Sequence, residues 1–147
     1  MALRPHGREE YDIPMDLQLT TKAQEALSTA VRDAAASGHA QVEPAHLLKA
    51  LAQQTDTTTG PLLEASGSSS ATALAAADAA LRSMPTASGS SMGNPGLSRT
   101  MHGVVKDAQD QMAAMGDHFV STDPLLLALA RTGAFPALDA NAIEQRI

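Results

Sequence analysis

An all-α fold is predicted, built from two tandem, pseudo-twofold-related helical repeats of about four helices each, the second abbreviated. Three observations lead there. Alanine and leucine dominate the apolar residues and are strong helix formers, whereas the aromatics that strands favour are only Tyr11, Phe119 and Phe135. Apolar positions recur at helical spacing between recognisable caps and stops. The chain also matches itself: shifted by 78 residues, Leu19–Ala52 aligns with Leu97–Ala130 without a gap, and 11 of 34 positions are identical. An alanine-rich chain yields chance alanine matches. The coincidence of Gly38 with Gly116, Val42 with Val120, and Leu47, Leu48 and Leu51 with Leu125, Leu126 and Leu129 in one register indicates a duplication.

Each element follows from local chemistry. The first helix runs from about Thr20 to Ser37, with Ala23, Leu27, Ala30, Val31 and Ala34 on one face and Lys22, Glu25, Arg32 and Asp33 mostly on the other. Thr21 and Gln24 fit a capping box, and Gly38 fits a C-terminal stop. A second helix starts at Pro44, where the missing N–H costs nothing, and carries Leu47, Leu48 and Leu51. Thr55 to Gly60 breaks it. A short helix over Leu62–Ala65 stops at Gly67, and Ser70 caps an alanine-rich helix reaching Ser83 before Pro85. In the second copy Ser98 caps a helix to about Met115, a leucine-rich helix covers Pro124–Ala130, and a last short helix covers Asn141–Ile147. The expected division is therefore 1–15 as a disordered leader or tag, 16–84 as the first repeat, 85–96 as a Ser/Gly/Pro linker, and 97–147 as the second repeat. Neither half buries its leucine face alone, so the two halves pack together and leave a groove at their junction.

Composition narrows the function. The formal charge is −6, and three lysines and seven arginines are scattered, which argues against a phosphate-backbone partner. No apolar run approaches the roughly 20 residues of a membrane span. Without cysteine, disulfides and thiolate metal sites are excluded, which suits a reducing, cytoplasmic setting. His39, His46, His102 and His118 show no i,i+4 pair or H-E-x-x-H spacing for a metal, so His46 is read as structural and no cofactor is expected. Gly89-Ser90-Ser91-Met92-Gly93 matches the nucleophile elbow, but it stands in a linker between helices rather than between a strand and a helix.

The order of segments resembles a known family. Leu19-Thr20-Thr21-Lys22, Val42-Glu43-Pro44-Ala45-His46-Leu47-Leu48, Pro61-Leu62-Leu63-Glu64-Ala65, Gly116-Asp117-His118-Phe119-Val120-Ser121-Thr122-Asp123 and Ala142-Ile143-Glu144-Gln145 are similar to successive segments of the N-terminal (Clp repeat) domain of the Clp unfoldases, ClpB disaggregase type. The resemblance covers Asp16 to Ile147. It implies a domain that sits on a ring-shaped AAA+ ATPase and captures unfolded or aggregated polypeptides, or an adaptor protein. It also places the family's substrate-contacting positions on Thr20, Asp117 and Asp123, the last an Asp where the family often has Glu. Ordinary roles compete with these: Thr20 and Asp123 at helix N-caps, and Asp117 in a turn. Met101, Met112, Met115 and Phe119 are the candidates for apolar client contacts, since flexible methionine suits varied partners. At helical spacing such residues are more often core. The stretch after Ala130 is shorter than the family's next helix and carries Phe135-Pro136. No G-x-x-x-x-G-K-[ST] loop is present, so ATP hydrolysis is not expected of this chain. The expectation is a non-enzymatic recognition domain, monomeric when isolated, of a longer unfoldase. The alternative is a free-standing regulatory module that docks a specific partner or sequesters small ligands or phosphoarginine.

Overall fold

A computed structural model describes residues 17–86 and 95–147. The expected leader and the Gly89–Gly93 motif lie outside the described residues. Among the described residues the chain forms α1 (Thr21–Ala36), β1 (Gln41–Val42), α2 (Pro44–Gln53), α3 (Thr59–Ala65), α4 (Ser70–Arg82), β2 (Gly96–Leu97), α5 (Arg99–Ala114), α6 (Thr122–Arg131) and α7 (Ala140–Arg146).

The duplication is structural as well as sequential. Helices α1 and α5 have 16 residues each, and α2 and α6 have 10 each, with boundaries displaced by the same 78-residue shift. Both long helices start on a hydroxyl cap: Thr20 Oγ1 accepts from Ala23 N–H at 3.3 Å, and Ser98 Oγ accepts from Met101 N–H at 3.1 Å. Both end on a left-handed glycine, Gly38 at φ 74° and Gly116 at φ 77°. There the N–H groups of His39 and Asp117 reach back to the carbonyls of Ala34 and Met112 at 2.9 and 3.0 Å, satisfying otherwise orphaned acceptors.

The core lies between α2 and α6, which are buried almost all round. Leu47, Leu48, Leu51, Leu125, Leu126 and Leu129 are each 0–1% exposed. At about 1.5–3 kcal/mol for a fully buried leucine, these six are a major source of stability. Helices α1 and α5 lay one alanine- and valine-rich face each on that centre. Small side chains let the helices approach closely, compensating for the shortage of aromatic rings.

The repeats are stitched together by strand pairing that crosses from one to the other. Val42 of β1 pairs in parallel with Leu97 of β2, and Leu19 bridges Val120 in the same sense. The second pairing is the first with each residue replaced by its counterpart in the other copy.

Several boundaries differ from expectation, each for a local reason. Thr20 rather than Thr21 caps α1, and Ser69 rather than Ser70 caps α4 by accepting from Thr72 N–H at 3.0 Å. Helix α3 starts at Thr59 and α6 at Thr122, each two residues before a proline that stands in the first turn, where its ring clashes with nothing. The final helix, α7, is shifted by one residue because Asp139 caps it, accepting from Ala142 N–H at 3.1 Å. After α6 the copies diverge: the first has α3 and α4, whereas the described part of the second has only α7.

Candidate functional site

The family-derived positions converge on the Leu19–Val120 side of this seam. The backbone N–H of Thr20 donates to the Val120 carbonyl at 2.9 Å, and Val120 N–H donates to the Gln18 carbonyl at 2.8 Å. The start of α1 is thereby fixed against the segment joining α5 to α6. That segment holds Met115, Asp117 and Phe119, and Asp123 lies three residues beyond Val120.

The individual side chains differ in what they can do. Thr20 is half-buried, and its hydroxyl is engaged in capping α1. Asp117 has an exposed carboxylate, while its backbone closes α5. Asp123 is not the N-cap of α6. Ser121 occupies that place because the helix starts ahead of Pro124, so Asp123 falls in the first turn, where a negative charge suits the helix dipole. Its carboxylate accepts a hydrogen bond from the Thr58 hydroxyl in the first repeat.

The apolar candidates separate cleanly. Met101 is 0% exposed and belongs to the core, so it touches no client while the fold is intact. Met112 is half-buried and packs against the core. Met115 and Phe119 are 46% and 52% exposed. Such exposure of large apolar side chains has no packing benefit, and both flank the turn that carries Asp117.

Sequence reasoning passed over the loop from Gln54 to Thr58, which ties this region together. Lys22 Nζ pairs with Asp56 at 2.8 Å and with Glu25 at 3.4 Å, while Gln54 Nε2 donates to the Lys22 carbonyl at 3.0 Å. The hydrogen bond from Lys22 holds the Asp56 carboxyl below the ordinary carboxylate range, and Asp56 reciprocally raises Lys22. With Thr58 on Asp123, the loop bridges the first turns of α1 and α6. The only sequence signal was the polar composition of residues 54–58.

Two concave surfaces lie along the helices, the second reaching Met115. One cavity of about 430 Å³ is formed by α1, α2 and Leu81 of α4, with Asp33, Ser37, Lys49 and Gln53 on its walls. Another of about 250 Å³ is lined by the counterparts of these four, Gln111, Met115, Leu127 and Arg131, together with Ile147. The first hollow is bordered by Asp33 and Lys49, whereas the second combines Met115, Leu127 and Ile147 with the paired Arg131 and Glu144. The expected groove rimmed by Thr20, Asp117 and Asp123 does not coincide with either. Among the described residues, no cluster of three or more His, Asp or Glu is placed to hold a metal, and no helix is long and apolar enough to cross a membrane.

Comparisons with known proteins agree with this architecture. The sequence model of the Clp repeat (R) N-terminal domain matches residues 18–140. The chaperone protein ClpB of Propionibacterium freudenreichii subsp. shermanii is 42% identical over 113 residues, 77% of this chain and 13% of that protein. The matched region therefore spans only about an eighth of that relative. The Hsp104 N-terminal domain from Candida albicans superposes with a TM-score of 0.73 at 19% identity, covering 88% of each chain. A ClpV N-domain solved in complex with a VipB peptide superposes at 0.66 with 16% identity, covering 81% of this chain and 72% of that one. The seven helices among the described residues, the two-repeat arrangement and these matches have one explanation: this chain belongs to the Clp repeat (R) N-terminal domain family.

Proposed function

We propose that this domain recognises exposed apolar segments of unfolded or aggregated polypeptides, on behalf of a ClpB-type ATPase ring, at the surface around the Thr20–Val120 seam. The observation that carries the reading is the joint exposure of Met115 and Phe119 beside a carboxylate, Asp117, that takes part in no fold-stabilising side-chain bond described here. The two side chains would supply contact area, while Asp117 and Asp123 would set encounter rate and selectivity through backbone amides or basic side chains of the client. A client that must be handed on is bound reversibly, at about micromolar affinity, near −8 kcal/mol. In this reading the domain is a monomeric cytoplasmic recognition unit with no catalytic role, and residues 16–84 and 97–147 are its two repeats. Binding of a labelled, permanently unfolded protein to wild type and to Asp117→Ala tests it. Unchanged affinity in a folded Asp117→Ala would remove Asp117 from the surface.

A second reading, docking of one specific adaptor, draws support from the ClpV N-domain solved with a VipB peptide. A peptide array separates the two: broad apolar preference favours client capture, and a narrow motif favours docking.

A further inference from the structure

The seam has two halves, and one of them rests on a buried pair of histidines. His39 and His46 are 5% and 1% exposed, and His39 Nδ1 lies 2.8 Å from His46 Nε2. His46 Nδ1 accepts the backbone N–H of Glu43 at 2.9 Å. This contact settles every proton. Because Nδ1 of His46 is an acceptor, its Nε2 carries the hydrogen and donates to His39, whose Nδ1 must in turn be unprotonated. His46 is therefore neutral in this arrangement. A proton added to His39 Nδ1 would set two donors face to face. Turning His46 into the other tautomer to accept it would oppose the Glu43 N–H instead. The pair cannot gain a proton without losing one of its two hydrogen bonds.

We infer that His39 and His46 form an acid-sensitive latch that holds the Val42–Leu97 half of the inter-repeat seam and releases it when His46 takes up a proton. The rings close the turn from Gly38 to Glu43 that contains β1, whose Val42 carbonyl accepts Ser98 N–H at 3.1 Å. The surrounding charges do not rescue a cation. Arg32 and Asp33 of α1, Glu43 of the turn, Lys49 of α2, and Asp78 and Arg82 of α4 balance in sign, and Lys49 is paired with Asp78 at 3.2 Å. Burial therefore dominates and pushes His46 down to about 4. The 78-residue counterparts of the two histidines are Asp117 and Pro124. The Leu19–Val120 half thus has no such latch, and the two halves should respond differently to acid. The inference does not depend on the client-binding reading.

Amide hydrogen exchange followed by NMR from pH 7 to pH 5 tests it, with rates corrected for intrinsic pH dependence. A folded value near 4 against 6.5 unfolded implies that protection of Ser98 falls roughly 20-fold over this range. With urea-insensitive rates selecting local opening over global unfolding, protection of Thr20, its counterpart on the other half, should change less than twofold. His46→Gln keeps a donor for His39 and an acceptor for the Glu43 N–H without the titrating ring, and should abolish the Ser98 response. Imidazole nitrogen shifts should report His46 with its hydrogen on Nε2 at pH 7. A parallel fall at Ser98 and Thr20, or an imidazolium in the folded protein at pH 6 with Ser98 still protected, overturns the inference. The wild-type comparison decides even if the variant does not fold.

Discussion

The Thr20 N–H bonds to the Val120 carbonyl at 2.9 Å, and the same bond recurs 78 residues on in the Ser98 N–H and the Val42 carbonyl at 3.1 Å. Each repeat thus lends the residue at its first helix cap to the other repeat's connecting segment. Neither half completes its own backbone hydrogen bonding, which is why the two behave as one unit rather than as independent hairpins.

The two caps should therefore be worth similar amounts. Thr20→Ala and Ser98→Ala each remove a side-chain acceptor from a helix start while leaving the seam backbone in place. A loss of about 1 kcal/mol is expected for each. Denaturant titration checks it, and additive losses in the double variant would show that the caps act separately.

Gly116 stands at φ 77° with open space where a Cβ would lie. Gly116→Ala should therefore cost about 1 kcal/mol from conformation alone, without a steric clash. Calorimetry should find a correspondingly lowered Tm.

Met101 offers a clean separation of core from surface. Met101→Ala should destabilise by about 2–5 kcal/mol through the cavity it leaves. A folded Met101→Ala of near wild-type stability would contradict the burial described here. The counterpart of Met101 in the first repeat is Ala23, also 0% exposed, and that correspondence was the available sign that the position faces inward.

Acid should weaken the fold through His46. Its folded value of about 4 lies below the ordinary 6.5, so between these values the unfolded chain binds more protons than the native one. The contribution is complete above pH 6.5 and falls as the pH drops, the loss reaching about 3 kcal/mol by pH 4. Urea titrations at pH 7.5, 6, 5 and 4 check the sign and the size, with His46→Gln expected to flatten the curve.

Much of the architecture was legible because duplication leaves its mark at positions where geometry restricts the residue. Gly38 and Gly116 must be left-handed, Val42 and Val120 sit in the seam, and the paired leucines fill one core. The seam itself was not legible, since a two-residue strand has no period and its partner lies in the other repeat. The same holds for Thr58 on Asp123, 65 residues apart, and for His39 on His46, which meet across a turn rather than along a helix face. Asp123 was misplaced because proline was taken to open its helix, whereas α6 accommodates Pro124 as its third residue.

The exposed pair Met115 and Phe119 beside the seam is the centre of the proposed client surface. Fluorescence anisotropy of a labelled, permanently unfolded polypeptide, titrated with wild type and with Phe119→Ser, tests it most directly. Phe119 is 52% exposed, so the variant should fold normally, and its affinity should fall about tenfold, or 1.4 kcal/mol. A folded Phe119→Ser that binds the polypeptide as tightly as wild type would contradict the proposed surface.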